Sequence, residues 1–358
     1  MFIMKFLSVF CLLFIFNNSF GQVVLNADGL GNTYSLITSV LAPGHNPIEV
    51  PDCNHAVFGE HIDEVFDSEL NTHVFRFHIH TATDNDRCIN FDRQRNEIKS
   101  YDKSPDNLLG IEDEMVVYKW KFKLDAGFQS SPNFTHIHQL KSVGGSLASM
   151  PMYTLTTRKG SPDQLELRYA ETNSQTTLLK TDLSTFKGTW VEVTEVIKYG
   201  ASGTYNIVIK RVSDNATLFS YSNNNIINWR SGADFVRPKW GIYRSLNNAQ
   251  DLRDETVLFA NFSVEETVAL SINDKDLNSD SFVVFQNPVE STLYLKNISQ
   301  NANLLEVFTM DGRKIMDKTI YAISEVKLDV SSFSNGTYVL SLQGQQLKQT
   351  KLVVISNK

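Results

Sequence analysis

Four short segments carry side chains whose types and spacing could do chemistry if each is an extended strand. Alternate residues of a strand point to opposite faces. In Phe75–His80 one face then collects Arg76, His78 and His80. In Arg93–Lys99 one face collects Arg93, Arg95, Glu97 and Lys99. In Thr135–Gln139 one face shows His136 and His138 and leaves Gln139 on the other. In Arg237–Arg244 one face shows Lys239, Gly241 and Tyr243, with open floor at the glycine. Guanidinium and ammonium groups bind anions, imidazole moves protons near neutral pH, and a phenol can protonate a leaving oxygen. Each segment also has a plainer reading. His78 and His80 suit an exposed polar face, the Arg/Glu/Lys strand a solvated ion-pair ladder, His136 and His138 hydrogen-bonded histidines, and Tyr243 a packed tyrosine. Taken together, the clusters suit an acidic polysaccharide.

The elements that must hold these residues are strands. The chain has 358 residues, with 42% hydrophobic and 20% charged positions, a globular composition that excludes a disordered or collagen-like chain. Its 23 Phe and 12 Tyr lean towards β structure. Strand-like runs include Thr72–His80, Asn96–Ser100, Met115–Leu124, Phe134–Leu140, Tyr153–Arg158, Gln164–Tyr169, Trp190–Tyr199, Gly203–Val212, Thr217–Tyr221, Lys239–Tyr243 and Glu255–Val264. About a dozen strands between residues 22 and 267 predict two packed antiparallel sheets, an all-β jelly-roll sandwich. No Gly-rich phosphate loop and no Gly-x-Ser-x-Gly elbow occurs. The net charge of −7 argues against a nucleic-acid binder.

Residues 1–21 read as a signal peptide: Lys5 leads the apolar run Phe6–Phe16, with cleavage expected near Gly21. No later segment is long and apolar enough to span a membrane, so none is expected to do so. Cys11 would leave with the signal, and Cys53 and Cys88 are expected to pair in an exported protein. Residues 268–281 are polar and read as a linker. Beyond it, 282–358 holds short strands with turn punctuation: Asn287-Pro288-Val289, Leu305–Phe308, Asp311-Gly312-Arg313, Val326–Asp329, Asn335–Leu340 and Lys351–Val354. They predict a second, smaller β-sandwich.

That order of pieces resembles the C-terminal sorting domain of the type IX secretion system of Bacteroidetes. The resemblance implies entry to the periplasm through the signal, passage across the outer membrane by that machinery, and a secreted or surface-attached product. It implies no catalysis in 282–358.

The first unit carries a second resemblance. Jelly-roll lyases of the alginate-lyase type have three strand motifs: Arg-(Ser/Thr)-Glu-x-Arg, Gln-(Ile/Val)-His and Lys-Ala-Gly-x-Tyr. Arg95-Asn96-Glu97-Ile98-Lys99, His136-Ile137-His138 and Lys239-Trp240-Gly241-Ile242-Tyr243 are similar to them, in the same order. His136, Lys99 and Trp240 depart from the pattern and point to a sister family such as the ulvan lyases of polysaccharide lyase family 28. The resemblance implies β-elimination at a uronate. Arg95 would clamp the carboxylate and Glu97 would orient Arg95. His136 is preferred to Gln139 for stabilising the enolate-like charge. His138 would take the C5 proton, and Tyr243 would protonate the leaving oxygen or do both jobs, with Lys239 nearby lowering its pKa. Arg93, Lys99, Lys141, Arg158 and Arg244 are the further cations for a sulfated polymer, and His78 and His80 are further substrate contacts. No cofactor is expected and no metal ligands are assigned, although a structural calcium is compatible. Alginate and glucuronan are the alternative substrates. A glycan-binding module, a metal enzyme built on the two His-x-His pairs and a two-carboxylate hydrolase are the alternative classes.

Overall fold

A computed structural model describes residues 22–267 and, apart from 286–287, 297, 300, 311, 321–323 and 345–346, residues 282–357. The signal segment 1–21 with Cys11, the linker 268–281, and Asn287 and Asp311 of the sorting-domain pattern lie outside the described residues.

The first unit opens with β1 (Val23–Leu25), the helix α1 (Thr33–Leu41), β2 (Ile48–Glu49), β3 (Ile62–Asp67), β4 (Thr72–Ile79) and β5 (Arg93–Lys99). It continues with β6 (Met115–Leu124), β7 (Thr135–Gly144), β8 (Tyr153–Arg158), β9 (Gln164–Tyr169) and β10 (Thr176–Asp182). It ends with β11 (Trp190–Lys198), β12 (Gly203–Arg211), β13 (Thr217–Ile226), β14 (Ala233–Ser245) and β15 (Glu255–Thr267). One sheet runs β13-β12-β11-β6-β15-β4-β3, with β1 added on β15; the other runs β10-β9-β8-β7-β14-β5-β2. All pairings are antiparallel. The chain changes sheet after β1, β2, β4, β5, β6, β10, β13 and β14, and neither sheet closes into a barrel. This is the jelly-roll sandwich that the strand count predicts.

Alternation builds the core. Val116, Tyr118, Trp120, Phe122 and Leu124 of β6 all point inward, as do Phe75, Phe77 and Ile79 of β4. They meet Trp240 and Ile242 of β14 and Ile137 and Leu140 of β7 from the opposite sheet. Each such side chain contributes roughly 1.5–3 kcal/mol when fully buried. Five elements escape the sequence reading, two of them, β1 and β2, because they are only three and two residues long. α1 packs Ile37 and Leu41 on the core, while β3 and β10 are edge strands too polar and too exposed to alternate clearly.

Cys53 and Cys88 are bonded, as expected, with Cα atoms 6.4 Å apart. The bridge ties the loop before β3 to the loop before β5.

The second unit has β16 (Val283–Phe285), β17 (Thr292–Lys296), β18 (Ala302–Thr309), β19 (Lys314–Thr319), β20 (Glu325–Asp329), β21 (Gly336–Gly344) and β22 (Leu347–Ile355). A three-stranded sheet β16-β17-β20 and a four-stranded sheet β19-β18-β21-β22 enclose their own core of Leu293, Leu295, Leu305, Val307, Leu340 and Val353. No helix among the described residues is long and apolar enough to cross a membrane.

Candidate active site

β5, β14, β7 and β8 lie side by side in the seven-stranded sheet. Lys239 sits opposite Lys99, Gly241 opposite Glu97 and Tyr243 opposite Arg95. Trp240, Ile242 and Ile98, one residue out of phase, fill the core, so the polar set occupies the face turned away from it. Gly241 has φ +145°, and a Cβ there would lie 2.1 Å from the Asn96 carbonyl oxygen. The glycine is therefore required by the close approach of β5, a stronger reason than open floor.

Strict alternation fails on β7. His136 pairs with Thr156 of β8 and His138 with Leu155, leaving Ile137 as an extra residue, a β-bulge. On the other side, Tyr243 pairs with His136 and Trp240 with His138, so β14 has two residues where β7 has one. Ile137 and His138 both turn inward, and Gln139 returns to the face of His136. Two expectations are corrected. Gln139 shares a face with His136. His138 is 1% exposed in the core, where Nε2 lies 2.9 Å from Glu195, Nδ1 lies 2.9 Å from the Lys239 carbonyl, and the ring packs on Trp120 and Trp240. It is not placed to take a proton from a substrate on the outer face.

A buried ion network underlies that face. Arg95 Nε donates to Asp86 at 2.9 Å, its Nη1 donates to Glu97, and its Nη1 lies 3.4 Å from Glu49. Lys239 Nζ pairs with Glu49 and lies 2.8 Å from Glu97. Lys99 and Arg87 reach Glu49 at 2.7 and 2.9 Å, and Gln139 donates to Glu97. Burial would raise the Glu97 pKa, but Lys239 and Arg95 outweigh it and hold the group below the ordinary carboxylate value. Glu49 is lowered against its own burial by Lys239, Arg95 and Lys99. Glu97 bonds Arg95 directly. Arg95 itself is engaged by three carboxylates and is not a free clamp, and Lys99, Lys239 and Gln139 are likewise held internally. Glu49 and Asp86 were missed because one lies in a two-residue strand and the other in a loop, where no periodicity marks them.

Above this network stands Tyr243. Its ring centroid is 3.7 Å from the Arg95 guanidinium carbon, and its hydroxyl accepts a 3.0 Å hydrogen bond from Arg93 Nη1. Burial raises its pKa, and Arg95 and Arg93 offset only part of that, so the phenol keeps its proton at neutral pH. The His136 ring lies 5.8 Å from it and stacks on Phe134. Burial pushes the His136 pKa down to about 3; Glu97 opposes that shift and Arg158 adds to it. The imidazole is therefore neutral. Its Nδ1 is buried without a hydrogen-bond partner. A neutral imidazole carries one acceptor nitrogen, and with so low a pKa it is a weak base until an anion bound beside it raises that value.

Three cations on this face, Arg158 beside His136 and Lys141 and Arg237 further along β7 and β14, have no carboxylate in salt-bridge range among the described residues. Arg158 reaches only the Pro132 carbonyl, at 3.4 Å, and the Nε atoms of Arg158 and Arg237 are buried without partners. Burial, then Lys239 and Arg237, push the Lys141 pKa down to about 8. Crowded, underpartnered cations await an anion. Arg237 carries no motif signal in the sequence, because it lies before Pro238 and outside the Lys239–Tyr243 motif.

The remaining candidates lie elsewhere. Arg244 is fully buried on the core side, bonded to Gln94, the Arg253 carbonyl and Thr81, and so is a structural cation and not a substrate contact. His78 belongs to β4 of the other sheet and lies 3.1 Å from Asp63. His80 follows β4 and sits beside Asp84.

The second unit matches the family model described as "Secretion system C-terminal sorting domain" over residues 283–356, which supports export to the cell surface or beyond. No curated protein matches the chain. Among solved structures the chain is similar to a PL-14 alginate lyase from Aplysia kurodai, with 12% identity, 69% of this chain and 100% of that chain covered, and a TM-score of 0.48. It is also similar to an endo-β-1,4-glucuronan lyase from Trichoderma reesei, with 16% identity, 57% and 87% coverage, and a TM-score of 0.41. An alginate lyase from Pseudomonas aeruginosa shows 13% identity, 57% and 86% coverage, and a TM-score of 0.38.

Proposed function

We propose that residues 22–267 form a polysaccharide lyase that cleaves a uronate-containing polyanion by β-elimination. One observation carries the reading. A protonated Tyr243, held by Arg93, stands beside a neutral His136 with an unpartnered nitrogen, on a face where Lys141, Arg158 and Arg237 lack carboxylate partners. Arg158, whose charge already reaches His136, neutralises the uronate carboxylate and makes the C5 proton acidic. His136 takes that proton. The freed electron pair forms the C4=C5 double bond, the C4–O bond breaks, and Tyr243 gives its proton to the departing glycosidic oxygen. Arg93 stabilises the resulting phenolate. The base role thus moves from His138 to His136, and the carboxylate clamp from Arg95 to Arg158.

A sulfated uronate polymer of the ulvan type is the favoured substrate, because three unpaired cations exceed what one carboxylate per repeat requires. A signal peptide at 1–21 and the sorting domain together would deliver the enzyme outside the cell through the type IX machinery. The direct test incubates the protein with ulvan, alginate and glucuronan and follows the ultraviolet absorbance of the unsaturated uronate. Absorbance should rise, most with ulvan. New reducing ends without absorbance would mean hydrolysis, and binding without cleavage would mean a lectin-like module.

Lys141 sets the alkaline limb. It is charged below its pKa of about 8 and neutral above it, so the face loses an anion-binding charge as pH rises through that value. On a polyanionic substrate kcat/KM should fall on the order of tenfold across this range. Lys141→Arg, which stays charged, should remove the limb. A profile unchanged by that substitution would take Lys141 off the substrate path.

A further inference from the structure

Outside the Tyr243 face, the loops before β3 and before β5 converge on one carboxylate. Asp84, fully buried, has His55 Nδ1 at 2.9 Å and His61 Nε2 at 3.2 Å from Oδ1, and His80 Nδ1 at 3.1 Å from Oδ2. One donor atom from each of the four residues can be chosen so that all lie within 4.8 Å of one another. A tetrahedral ion with ~2.05 Å bonds needs donors roughly 3.3 Å apart, a contraction that side-chain rotation supplies. His61 is prepared for the role. Its other nitrogen, Nδ1, lies 2.6 Å from Asp52 Oδ1, and Asp52 is itself held by the Tyr34 hydroxyl at 2.7 Å. A carboxylate on Nδ1 orients the ring with Nε2 towards Asp84, so that an ion displacing the Nε2 proton would find the outer-shell arrangement of histidine metal ligands. Phe58 lies over the cluster, its ring centroid 4.3 Å from His80 and 4.8 Å from His61, and screens it from water. The disulfide joins the loop of Asp52 and His55 to the loop of Asp84, so the donors are held together covalently.

We propose that His55, His61, His80 and Asp84 bind one divalent transition-metal ion, zinc by preference, as a closed structural site. Three imidazoles and one carboxylate suit zinc and its neighbours. They do not suit calcium, which takes oxygen donors, so the structural calcium considered from the sequence is not what this cluster would hold. The His-x-His pairs do not supply the set: only His80 takes part, and His78 pairs with Asp63. The site lies behind the ion network. Asp86, two residues beyond Asp84, anchors Arg95, and Gln94 donates to the carbonyls of His80 and Asp84. A bound ion would therefore stiffen the loop that positions Arg95 under Tyr243.

The test is metal content and affinity, independent of any activity. The purified protein is loaded with zinc, freed of excess, and assayed by elemental mass spectrometry and by competition with a chromophoric chelator. One zinc per chain is expected, along with a higher unfolding temperature on loading. Cobalt substitution should give the strong visible bands of tetrahedral nitrogen and oxygen coordination. His55→Ala, at a partly exposed position that should fold, should weaken binding at least tenfold. Asp52→Asn should weaken it ~10–100-fold through His61. Wild-type protein that retains well under one zinc, or zinc retained equally by His55→Ala and His61→Ala, would overturn the site. In the first case the cluster is a hydrogen-bonded imidazole–carboxylate group alone.

Discussion

Tyr243→Phe is expected to lower turnover on the uronate polymer by ~10²–10⁴ while KM changes by no more than a few-fold. The substitution removes one oxygen and little else. The phenyl ring keeps its place over Arg95 and its contact with Phe134, whose centroid is 5.0 Å away. What disappears is the proton for the leaving glycosidic oxygen and the atom to which Arg93 donates. Steady-state kinetics on ulvan, with the unfolding temperature as a control, checks the expectation. Near-normal turnover in a stable Tyr243→Phe protein would remove the acid from the mechanism. His136→Ala would then show whether any proton transfer occurs on this face.

The second large effect is on stability. Glu97→Ala should cost about 3–5 kcal/mol, because it strips a partner from Lys239 and Arg95 while both stay buried. Urea unfolding should show a lower midpoint with the slope preserved. Glu97→Gln, which keeps the shape, should cost less. The same network sets the acid limb of stability. Glu97 and Glu49 are lowered in the folded state, so their contribution is complete above the unfolded carboxylate pKa of ~4.3 and is lost as pH falls below it. The Glu97→Ala protein should therefore lose less stability between pH 5 and 3 than the wild type does, relative to its own value at pH 7. A cost under about 1 kcal/mol would mean that water reaches and screens these charges.

How far the sequence could be read depended on which physical signal each feature leaves. Strands of the core, such as Met115–Leu124, alternate cleanly because one face is buried, and they emerge with their observed bounds. Tyr243, Arg95 and Glu97 were found because their strand faces are uniformly polar. His138 was misplaced because a bulge is one added residue with no compositional mark, and nothing in Thr-His-Ile-His-Gln says that Ile137 is the extra one. Arg244 looked like its neighbours in type, but its phase along β14 places it inside. The zinc donors come from residues 55, 61, 80 and 84 in irregular spacing, and only the disulfide hinted that these loops meet. Glu49 bonds four cations from a strand of two residues, which no window of periodicity can detect.

The extra residue in β7 also bears on the spacing of the groups this face displays. With Ile137 deleted, ordinary alternation would still turn His136, Gln139 and Lys141 outward and His138 and Leu140 inward. The insertion therefore does not choose which side chains are displayed. It changes the spacing between them, adding up to one strand step, ~3.3 Å, between His136 and Gln139, and it bends the strand at that point. A β7 without Ile137 would show the same chemical groups on a tighter ruler, in step with β8 but one residue further out of step with β14. Lengthening that ruler by one notch is a way to fit a sugar chain of different repeat without replacing any group that touches it.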